Sequence, residues 1–405
     1  MITEIKINNF KSVADLTLPL GRFNVLIGSN GSGKSNILEA IAFGGAASAD
    51  KLDNEFLGSR GIRTASAQLM KSAFSKDNFV KPIILNFECD QKSIKFNVVE
   101  DQGPILKWGI KEKIAINDLM KVVTLLVLEE KTKQDDILKN LDAPGKGILI
   151  NILAKLEVIF QKTKANKYDK IKILTSQDVS ERIYENTSYN DVLSNFIIYS
   201  PEISSLRKFE EESQIKPLGV KGEGLFSVLQ IFYESYGSET IDEIRKYLHV
   251  IEWFDDFEAI FDKVSGRKSL VVKDRNIPAV TLNQTNVNEG FLFLLFYISL
   301  MISKETPAFF AIDNIEASLH PLLCEELIKI LVELSKVHNK QVVLTTHNPF
   351  ILDGLDLNDP EQKLFVVRRN GDGETIADAI KPVKNVKLSE AWMRGYIGGN
   401  PETID

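Results

Sequence analysis

The chain has 405 residues, of which 44% are hydrophobic and 26% charged, and its formal net charge is −7. This length exceeds what one hydrophobic core usually holds, so we expect two structural lobes in an ordinary globular protein. The negative balance excludes nucleic-acid binding through overall charge, and any such contact would need a local basic patch. Two cysteines, Cys89 and Cys324, are too few for a disulfide framework or a cysteine-based zinc cluster.

Membrane and export signals are weak. The opening stretch MITEIKINNFKS has acidic and polar residues where a signal peptide needs an apolar run. The longest apolar stretch, Phe291–Ile302, is shorter than the roughly 20 residues that span a bilayer, and it is predicted to be a buried helix. These features predict a cytoplasmic protein without a membrane partner.

The N-terminal part, residues 1–111, begins with strand patterns. Ile2–Ile7 and Leu16–Leu20 alternate apolar and polar residues, and Phe23–Ile27 is a short apolar strand that runs into a glycine-rich loop and then a helix. Pro82–Cys89 and Ser93–Glu100 predict a β-hairpin.

Residues 112–195 carry no motif with recognisable chemistry. Their lysine-rich helical patterns, Ala115–Lys131 and Gly147–Lys164, predict an inserted helical region.

The C-terminal part, residues 196–405, alternates between strands and helices. Residues 196–201 predict a strand, 217–232 a glycine-rich turn that opens a helix, and Ile241–Val264 a long helix with two short strands after it, Ser269–Lys273 and Ala279–Leu282. Helices follow at 289–303 and 321–337, and strands at 308–312, 341–345, 363–368 and 374–380. Such alternation predicts an α/β fold with a mostly parallel sheet covered by helices.

Residues 28–35, GSNGSGKS, match the phosphate-binding loop pattern G-x-x-x-x-G-K-[ST] between a strand and a helix. Glycines let the backbone turn its N–H groups towards phosphates, and the helix N-terminus adds positive potential. Lys34 is predicted to reach the β- and γ-phosphates of ATP, and the Ser35 hydroxyl to hold Mg²⁺. The predicted nucleotide contacts come from one continuous stretch: Asn30, Gly31, Ser32, Gly33, Lys34, Ser35 and Asn36.

A second half of the nucleotide site is predicted far downstream. The apolar residues 309–312 lead into Asp313, whose carboxylate would lie beside Ser35 and hold the metal through its water shell. One helix later, His347 ends the strand of VVLTTHNP, where it would contact a γ-phosphate. Taken alone, Asp313 could cap a turn and His347 could be structural, but their order after the phosphate loop favours a nucleotide site.

These motifs resemble those of the RecF/SMC-like ABC ATPases, and especially the short OLD-like bacterial "AAA-type" group, which includes ATPase subunits of the antiphage systems Septu and PARIS. The resemblance rests on ITEIKINNFKSV, the phosphate loop, IDNIEASLHP, TTHNP and LSEAWMRGYIGGNPE. It implies an ABC-type head, with a mixed, mostly parallel sheet and an antiparallel β lobe, that dimerises around two ATP molecules. The resemblance also implies that the helical insert reaches towards a partner protein or nucleic acid.

In that family each ATP is completed by a signature motif of the opposite subunit. The matching place is NVNEGFLFLLF, where Asn288 could donate to a phosphate and Gly290 lets the backbone approach. The alternative is an ordinary helix N-cap, a position that Asn also favours.

Asn314 stands where the resemblance places a catalytic Glu, and an amide cannot accept a proton from water. Glu316 could serve as the base if the strand continued, because residues two apart point to the same face. Alternatively, Asn314 positions a water for slow turnover, or the site binds ATP without hydrolysing it. Glu316 could also simply charge the first turn of the helix near Pro321.

The leading hypothesis is an ATP-dependent dimerising switch that controls a partner effector, a nuclease, in antiphage defence. The alternatives are a RecF-like DNA-repair ATPase and a hydrolytically inactive nucleotide sensor. The repair hypothesis needs a basic face, for which the insert offers several lysines with acids between them: Lys131, Lys133, Lys139, Lys146 and Lys155. A transporter ATPase is disfavoured because the usual transporter signature is absent.

Overall fold

The computed structural model describes residues 1–89, 92–101, 107–110, 191–209, 216–261, 268–382 and 386–398. The chain forms three β-sheets with helices packed against them in these ranges. The predicted insert, 112–195, lies outside the described residues except for 191–195. Its helices and its lysines, and the proposed domain boundaries at 111 and 196, therefore stay predictions.

The strands follow the chain in this order: β1 (Ile2–Phe10), β2 (Val13–Pro19), β3 (Phe23–Ile27), β4 (Ile83–Cys89), β5 (Lys92–Asp101), β6 (Lys107–Ile110), β7 (Ile198–Tyr199), β8 (Phe254–Phe261), β9 (Lys268–Asp274), β10 (Thr281–Leu282), β11 (Phe309–Ile312), β12 (Gln341–Thr346), β13 (Gln362–Arg369) and β14 (Thr375–Ala379). The α-helices are α1 (Lys34–Ser48), α2 (Asn54–Ser59), α3 (Ala67–Met70), α4 (Ile203–Leu206), α5 (Leu225–Ile231), α6 (Ser238–Leu248), α7 (Glu289–Ile302), α8 (Pro321–Val337) and α9 (Leu388–Met393). Short 3-10 helices cover Lys76–Phe79 and Pro349–Gly354, and a π-helical turn covers Phe232–Tyr236.

The central sheet has the strand order β14–β13–β3–β12–β11–β7. All of its neighbouring strands pair in parallel except β14, which is antiparallel to β13. Strand β3, FNVLI, is buried along its whole length, as expected for a parallel strand covered on both faces. The phosphate loop therefore leaves the middle of the sheet, between two strands from the C-terminal part.

Two antiparallel sheets complete the fold, with the orders β2–β1–β4–β5–β6 and β10–β9–β8. The first is the predicted antiparallel lobe, and it contains the predicted hairpin as β4 and β5. Helix α1 packs with this lobe in one hydrophobic core, and helices α5 to α8 pack in the other. The mixed α/β fold predicted from the sequence is confirmed.

Helix α7 confirms the prediction for the longest apolar stretch, because every residue after Glu289 in it is buried. No helix in the described part of the chain is long and apolar enough to cross a membrane. The long helix predicted over Ile241–Val264 is wrong. Helix α6 ends at Leu248, and Phe254–Phe261 forms strand β8, which pairs with β9.

Candidate functional site

The candidate site lies where three neighbouring parallel strands end. Strand β3 ends at Ile27 before the phosphate loop, β11 ends at Ile312 before Asp313, and β12 ends at Thr346 before His347. Because β12 lies between β3 and β11, their carboxyl ends meet at one edge of the sheet. Ligands of open α/β sheets bind at this edge.

The loop backbone is held closely by strands β13 and β14. A Cβ atom on Gly33 would lie 2.0 Å from Oγ1 of Thr375, and Gly33 has a left-handed φ of 108°. Thr375 Oγ1 donates to the Ser32 carbonyl at 3.0 Å, and Arg369 Nε donates to the Gly31 carbonyl at 2.9 Å. A side chain at position 33 would thus meet both a steric clash and a strained backbone.

Lys34 is the first residue of α1 and is buried. Its Nζ donates to the carbonyl oxygens of Gly28 at 2.7 Å and Ser29 at 3.0 Å, so the ammonium lies across the loop that surrounds it. Burial lowers the pKa of Lys34, whereas the carboxylates of Asp313 and Glu316 act in the opposite direction. This cation lies within the loop that the sequence predicts to bind phosphates.

Ser35 and Asp313 meet as predicted. The Ser35 hydroxyl lies 3.0 Å from Oδ2 and 3.3 Å from Oδ1 of Asp313. Thr345 Oγ1 donates to Oδ1 of Asp313 and accepts from the Asn314 backbone N–H at 2.9 Å. A hydroxyl and a carboxylate side by side are hard oxygen donors of the kind that Mg²⁺ prefers, with phosphate oxygens and water completing its shell. The residues present thus fit the predicted magnesium position.

Asn314 is exposed and has a left-handed φ of 55°. Asn is one of the few residues that adopt this conformation readily, and Glu at the same position would be strained. The strand therefore ends at Ile312, and turns follow it. The condition under which Glu316 would share a face with Asn314 is not met. Glu316 also lies before the N-cap of α8, His320, so it does not charge that helix's first turn.

Glu316 pairs instead with His347. Its side chain is 7% exposed, and Oε1 lies 2.8 Å from His347 Nδ1 while accepting from the His347 backbone N–H at 3.0 Å. The other oxygen, Oε2, is buried and has no hydrogen-bond partner among the described residues. The His347 side chain is 54% exposed, so the ring is held through Nδ1 and presents its opposite edge, with Nε2, towards solvent. Two predicted catalytic residues thus form one unit.

Two ionisable groups near Glu316, the Tyr297 hydroxyl and the Cys324 thiol, are themselves buried. The Tyr297 hydroxyl donates to the Ile315 carbonyl at 3.1 Å, and burial together with Glu316 raises the pKa of Tyr297 above its ordinary value. Burial, and to a lesser degree Glu316, raises the pKa of the Cys324 thiol to about 11. Their raised pKa values keep both groups uncharged at physiological pH, so neither adds a charge beside Glu316.

The N-terminus of α7 adjoins this turn. Asn288 is its N-cap, and its side-chain oxygen accepts from the Gly290 N–H at 2.8 Å, which is the capping geometry considered as the alternative. Ser318 Oγ donates to Glu289 at 3.1 Å and links α7 to the turn after Asp313. Asn288 is exposed, and Gly290 is buried. The two predicted signature residues therefore lie close to the turn that carries Asn314 and Glu316.

One charged cluster beside the loop was not predicted. Glu39 of α1 is 2% exposed and pairs with Lys11 and, at 2.5 Å, with Arg63. The Arg63 guanidinium also reaches Asn36 Oδ1 at 3.4 Å, and Asn36 Nδ2 donates to Ser12 at 2.6 Å. A buried Glu inside the apolar pattern NILEAIAF requires cationic partners, which is the sequence feature that indicates such a cluster. Its partners lie too far away in the chain to be named from the sequence.

A phosphate loop on the central strand, with an acidic strand end beside its serine, defines the class of P-loop nucleotide-binding proteins. The chain belongs to the AAA ATPase domain family, whose model matches residues 1–352. Among solved structures, the crystal structure of an SMC head bound to the C-terminal winged-helix domain of ScpA superposes with a TM-score of 0.54 at 15% identity, covering 94% of this chain and 98% of that one. This similarity concerns the fold alone.

Sequence relatives are distant or short. An uncharacterised protein of Methanocaldococcus jannaschii, MJECL44, is 26% identical over 238 residues, which are 53% of this chain and 67% of the relative. The DNA replication and repair protein RecF of Brucella abortus is 51% identical over 43 residues, 10% of this chain and 11% of RecF. The chain thus matches only about a tenth of the length of RecF.

Proposed function

We propose that the chain is an ATP-binding, slowly hydrolysing switch that dimerises around nucleotide and controls a partner effector, a nuclease, in antiphage defence. The observation that carries the nucleotide part is the Ser35–Asp313 contact at 3.0 Å, beside Lys34 in the phosphate loop. Lys34 would exchange two backbone carbonyls for phosphate oxygens. Mg²⁺, held at Ser35 and Asp313, would supply positive charge to the phosphates.

The proposed chemistry uses the Glu316–His347 pair. With Nδ1 of His347 held by Glu316, a neutral ring keeps its Nε2 lone pair free to accept a proton from water. The buried carboxylate would stabilise the positive charge that develops on the ring. Asn314 would orient the water through its exposed amide. Without a carboxylate at position 314, slow turnover is expected.

Dimerisation is proposed from the exposure of the same face. Ser29, Asn30 and Gly31 of the loop are exposed, as are Asn314 and His347 across from it. A γ-phosphate in this position would face solvent, whereas hydrolysis benefits from a site that excludes water. A second head that applied its Asn288–Gly290 segment to this face would cover the nucleotide.

The effector role rests on the resemblance of the motifs to ATPase subunits of antiphage systems. In this proposal a separate partner protein carries the nuclease activity. The RecF match supports one alternative, a DNA-repair ATPase. The amide at Asn314 supports a second alternative, a sensor that binds ATP without hydrolysis.

The test measures oligomeric mass and phosphate release for the full chain with and without ATP–Mg²⁺. The wild type should form dimers with ATP and hydrolyse it slowly. Asp313→Asn should lose the Mg²⁺-dependent part of dimer formation and of phosphate release. Adding the protein encoded by the neighbouring gene should yield an ATP-dependent complex. Cells that express both proteins should restrict phage plating. Stimulation by DNA alone, without any partner and without phage restriction, would favour the repair alternative. ATP-dependent dimers without turnover would favour the sensor.

A further inference from the structure

A cavity lies at the β7 edge of the central sheet and extends to the amino ends of β11 and β12. It has a volume of about 820 Å³ and is bordered by the segments before β11 and β12, including Pro307, Ala308 and Lys340. Strand β7 at the sheet edge and the C-terminus of α2 close another side through Tyr199 and Arg60. Its volume falls in the range of pockets that hold small organic molecules, about 300–1,000 Å³.

Two polar groups that line this cavity have no hydrogen-bond partner in the part of the chain that the structure describes. Tyr199 is fully buried, and its hydroxyl has no hydrogen-bond partner within the described residues. Arg60 Nε is equally buried and unpartnered there, although the guanidinium stacks on the Phe56 ring at 4.7 Å. An unsatisfied buried donor typically costs about 1–3 kcal/mol, and native proteins keep few of them. Two such donors lining one cavity indicate a ligand that accepts hydrogen bonds.

The rest of the lining narrows the ligand class. The apolar side chains of Leu218 and Ile302 form walls, and Lys216 and Lys304 add exposed cations at the rim, opposed by Asp191 and Glu305. Lys340 is buried but already donates to oxygens of Ser303, Thr306 and Pro307, so it is not free for a ligand. Arg60 therefore supplies the inner positive charge. A guanidinium beside a phenol hydroxyl matches an oxyanion.

We propose that this cavity binds a small organic anion whose phosphate or carboxylate group is held by Arg60 and Tyr199. The site would also be coupled to the nucleotide. The Tyr199 carbonyl accepts from the Asp313 N–H at 2.8 Å, and the Arg60 carbonyl accepts from the Ile198 N–H at 3.1 Å. Any shift of β7 on anion binding is thereby transmitted to the residue that the proposed function assigns to Mg²⁺. This coupling rests on the proposed function, whereas the anion site does not.

The binding test uses the full chain with Lys34→Ala, so that the phosphate loop competes less, and three probes: inorganic phosphate, acetate and ribose 5-phosphate. Titration calorimetry should give a dissociation constant below about 10 mM for at least one probe. Comparing inorganic phosphate with acetate then distinguishes a site for a phosphate group from a site for a carboxylate. Tyr199→Phe and Arg60→Gln, added singly, should each weaken binding of the anion about tenfold or more. The first variant removes the hydrogen bond from the phenol, and the second removes the charge-assisted hydrogen bond from the guanidinium.

Tyr199→Phe should leave the protein folded, because it removes a hydroxyl that has no hydrogen-bond partner among the described residues. Its melting temperature should equal or exceed that of the parent, whereas the control Tyr247→Phe, which loses a 2.8 Å bond to Glu333, should not affect anion binding. Arg394→Gln, at the C-cap of α9 and outside the cavity lining, is the control for loss of a positive charge and should leave anion binding unchanged. Failure of all three probes to bind, or equal binding by the Tyr199 and Arg60 variants, would overturn the site and leave water as the partner of both groups.

The coupling is tested separately in the protein with Lys34 intact. A bound probe should change ATP affinity, and ATP should change probe affinity by the same factor, because binding linkage is reciprocal. Tyr199→Phe should abolish this effect while ATP still binds. If the anion binds but neither ligand changes the affinity of the other, the coupling is overturned. If the wild type does not bind ATP at all, the proposed function is contradicted instead.

Discussion

Replacing Glu316 by Gln tests the unit that it forms with His347. Oε1 accepts the backbone N–H of His347 at 3.0 Å and lies 2.8 Å from its Nδ1, while Oε2 is buried without a partner among the described residues. In the variant, keeping the amide oxygen towards His347 leaves a buried NH₂ group unsatisfied, at a cost of about 1–3 kcal/mol in unfolding free energy. The opposite orientation loses the backbone hydrogen bond and turns the NH₂ group towards Nδ1, so the first orientation is expected.

The catalytic effect should be larger than the effect on stability. Without the carboxylate, charge on the His347 ring is no longer stabilised, and loss of such acid–base assistance costs roughly 10²–10⁴-fold in turnover. At 1.36 kcal/mol per tenfold, this corresponds to about 2.7–5.4 kcal/mol in the activation barrier. ATP affinity should remain, because Lys34, Ser35 and Asp313 are unchanged.

The assay is phosphate release at saturating ATP–Mg²⁺ with any partner protein present, accompanied by thermal unfolding with and without ATP. Glu333→Gln is the matched control, since Glu333 accepts from Tyr247 elsewhere on the surface. Wild-type turnover in the Glu316 variant would refute the role of the pair. Background turnover in the wild type itself, with no gain from Asn314→Glu, would end the claim of hydrolysis.

Four further predictions follow from the site. Lys34→Ala should abolish ATP-dependent thermal stabilisation, and stabilisation equal to the wild type would contradict the phosphate-loop assignment. Asn314→Glu should raise turnover but lower the free energy of unfolding by about 1 kcal/mol, because Glu is strained at a left-handed φ. Gly290→Arg should block ATP-dependent dimers, measured by mass photometry, while the monomer stays folded; unchanged dimerisation would move the signature contact elsewhere. In a Cys89→Ala background, Cys324 should resist iodoacetamide at pH 8, since burial both shields the thiol from the reagent and raises its pKa; fast labelling at pH 8 in the folded protein would contradict this.

The strands around the nucleotide were predictable because their patterns are local. Buried parallel strands are nearly continuous apolar runs, as in FFAI and, apart from Asn24, in FNVLI, and the loop between strand and helix is fixed by its glycines. Strand β8 shows the opposite case. A register shift between Phe254 and Asp256 breaks the alternation, so the buried residues Phe254 and Phe257 lie three apart and imitate a helix. The spacing of apolar residues alone therefore predicted a helix where the chain forms strand β8.

The contacts within the site were only partly predictable. The resemblance indicated Asp313 and His347 separately, but the pairing of Glu316 with His347 depends on the turn after Ile312 and on the register of β11 with β12. Thr345 was missed for the same reason, since only that register places its hydroxyl beside Asp313. The left-handed Asn314 ends the strand, and a pattern of apolar residues carries no information on that conformation.

Strand β3 has consequences for how the chain acquires its structure during synthesis. Both of its neighbours, β12 and β13, lie more than 300 positions later, and the side chain of Gln341 bonds the backbone of Ile2 and Gly21. The phosphate loop therefore cannot be completed until the ribosome has made nearly all of the chain, and such distant pairing slows folding. An N-terminal fragment ending in the insert should not bind ATP by itself, whereas co-expression with the remaining C-terminal fragment should restore binding.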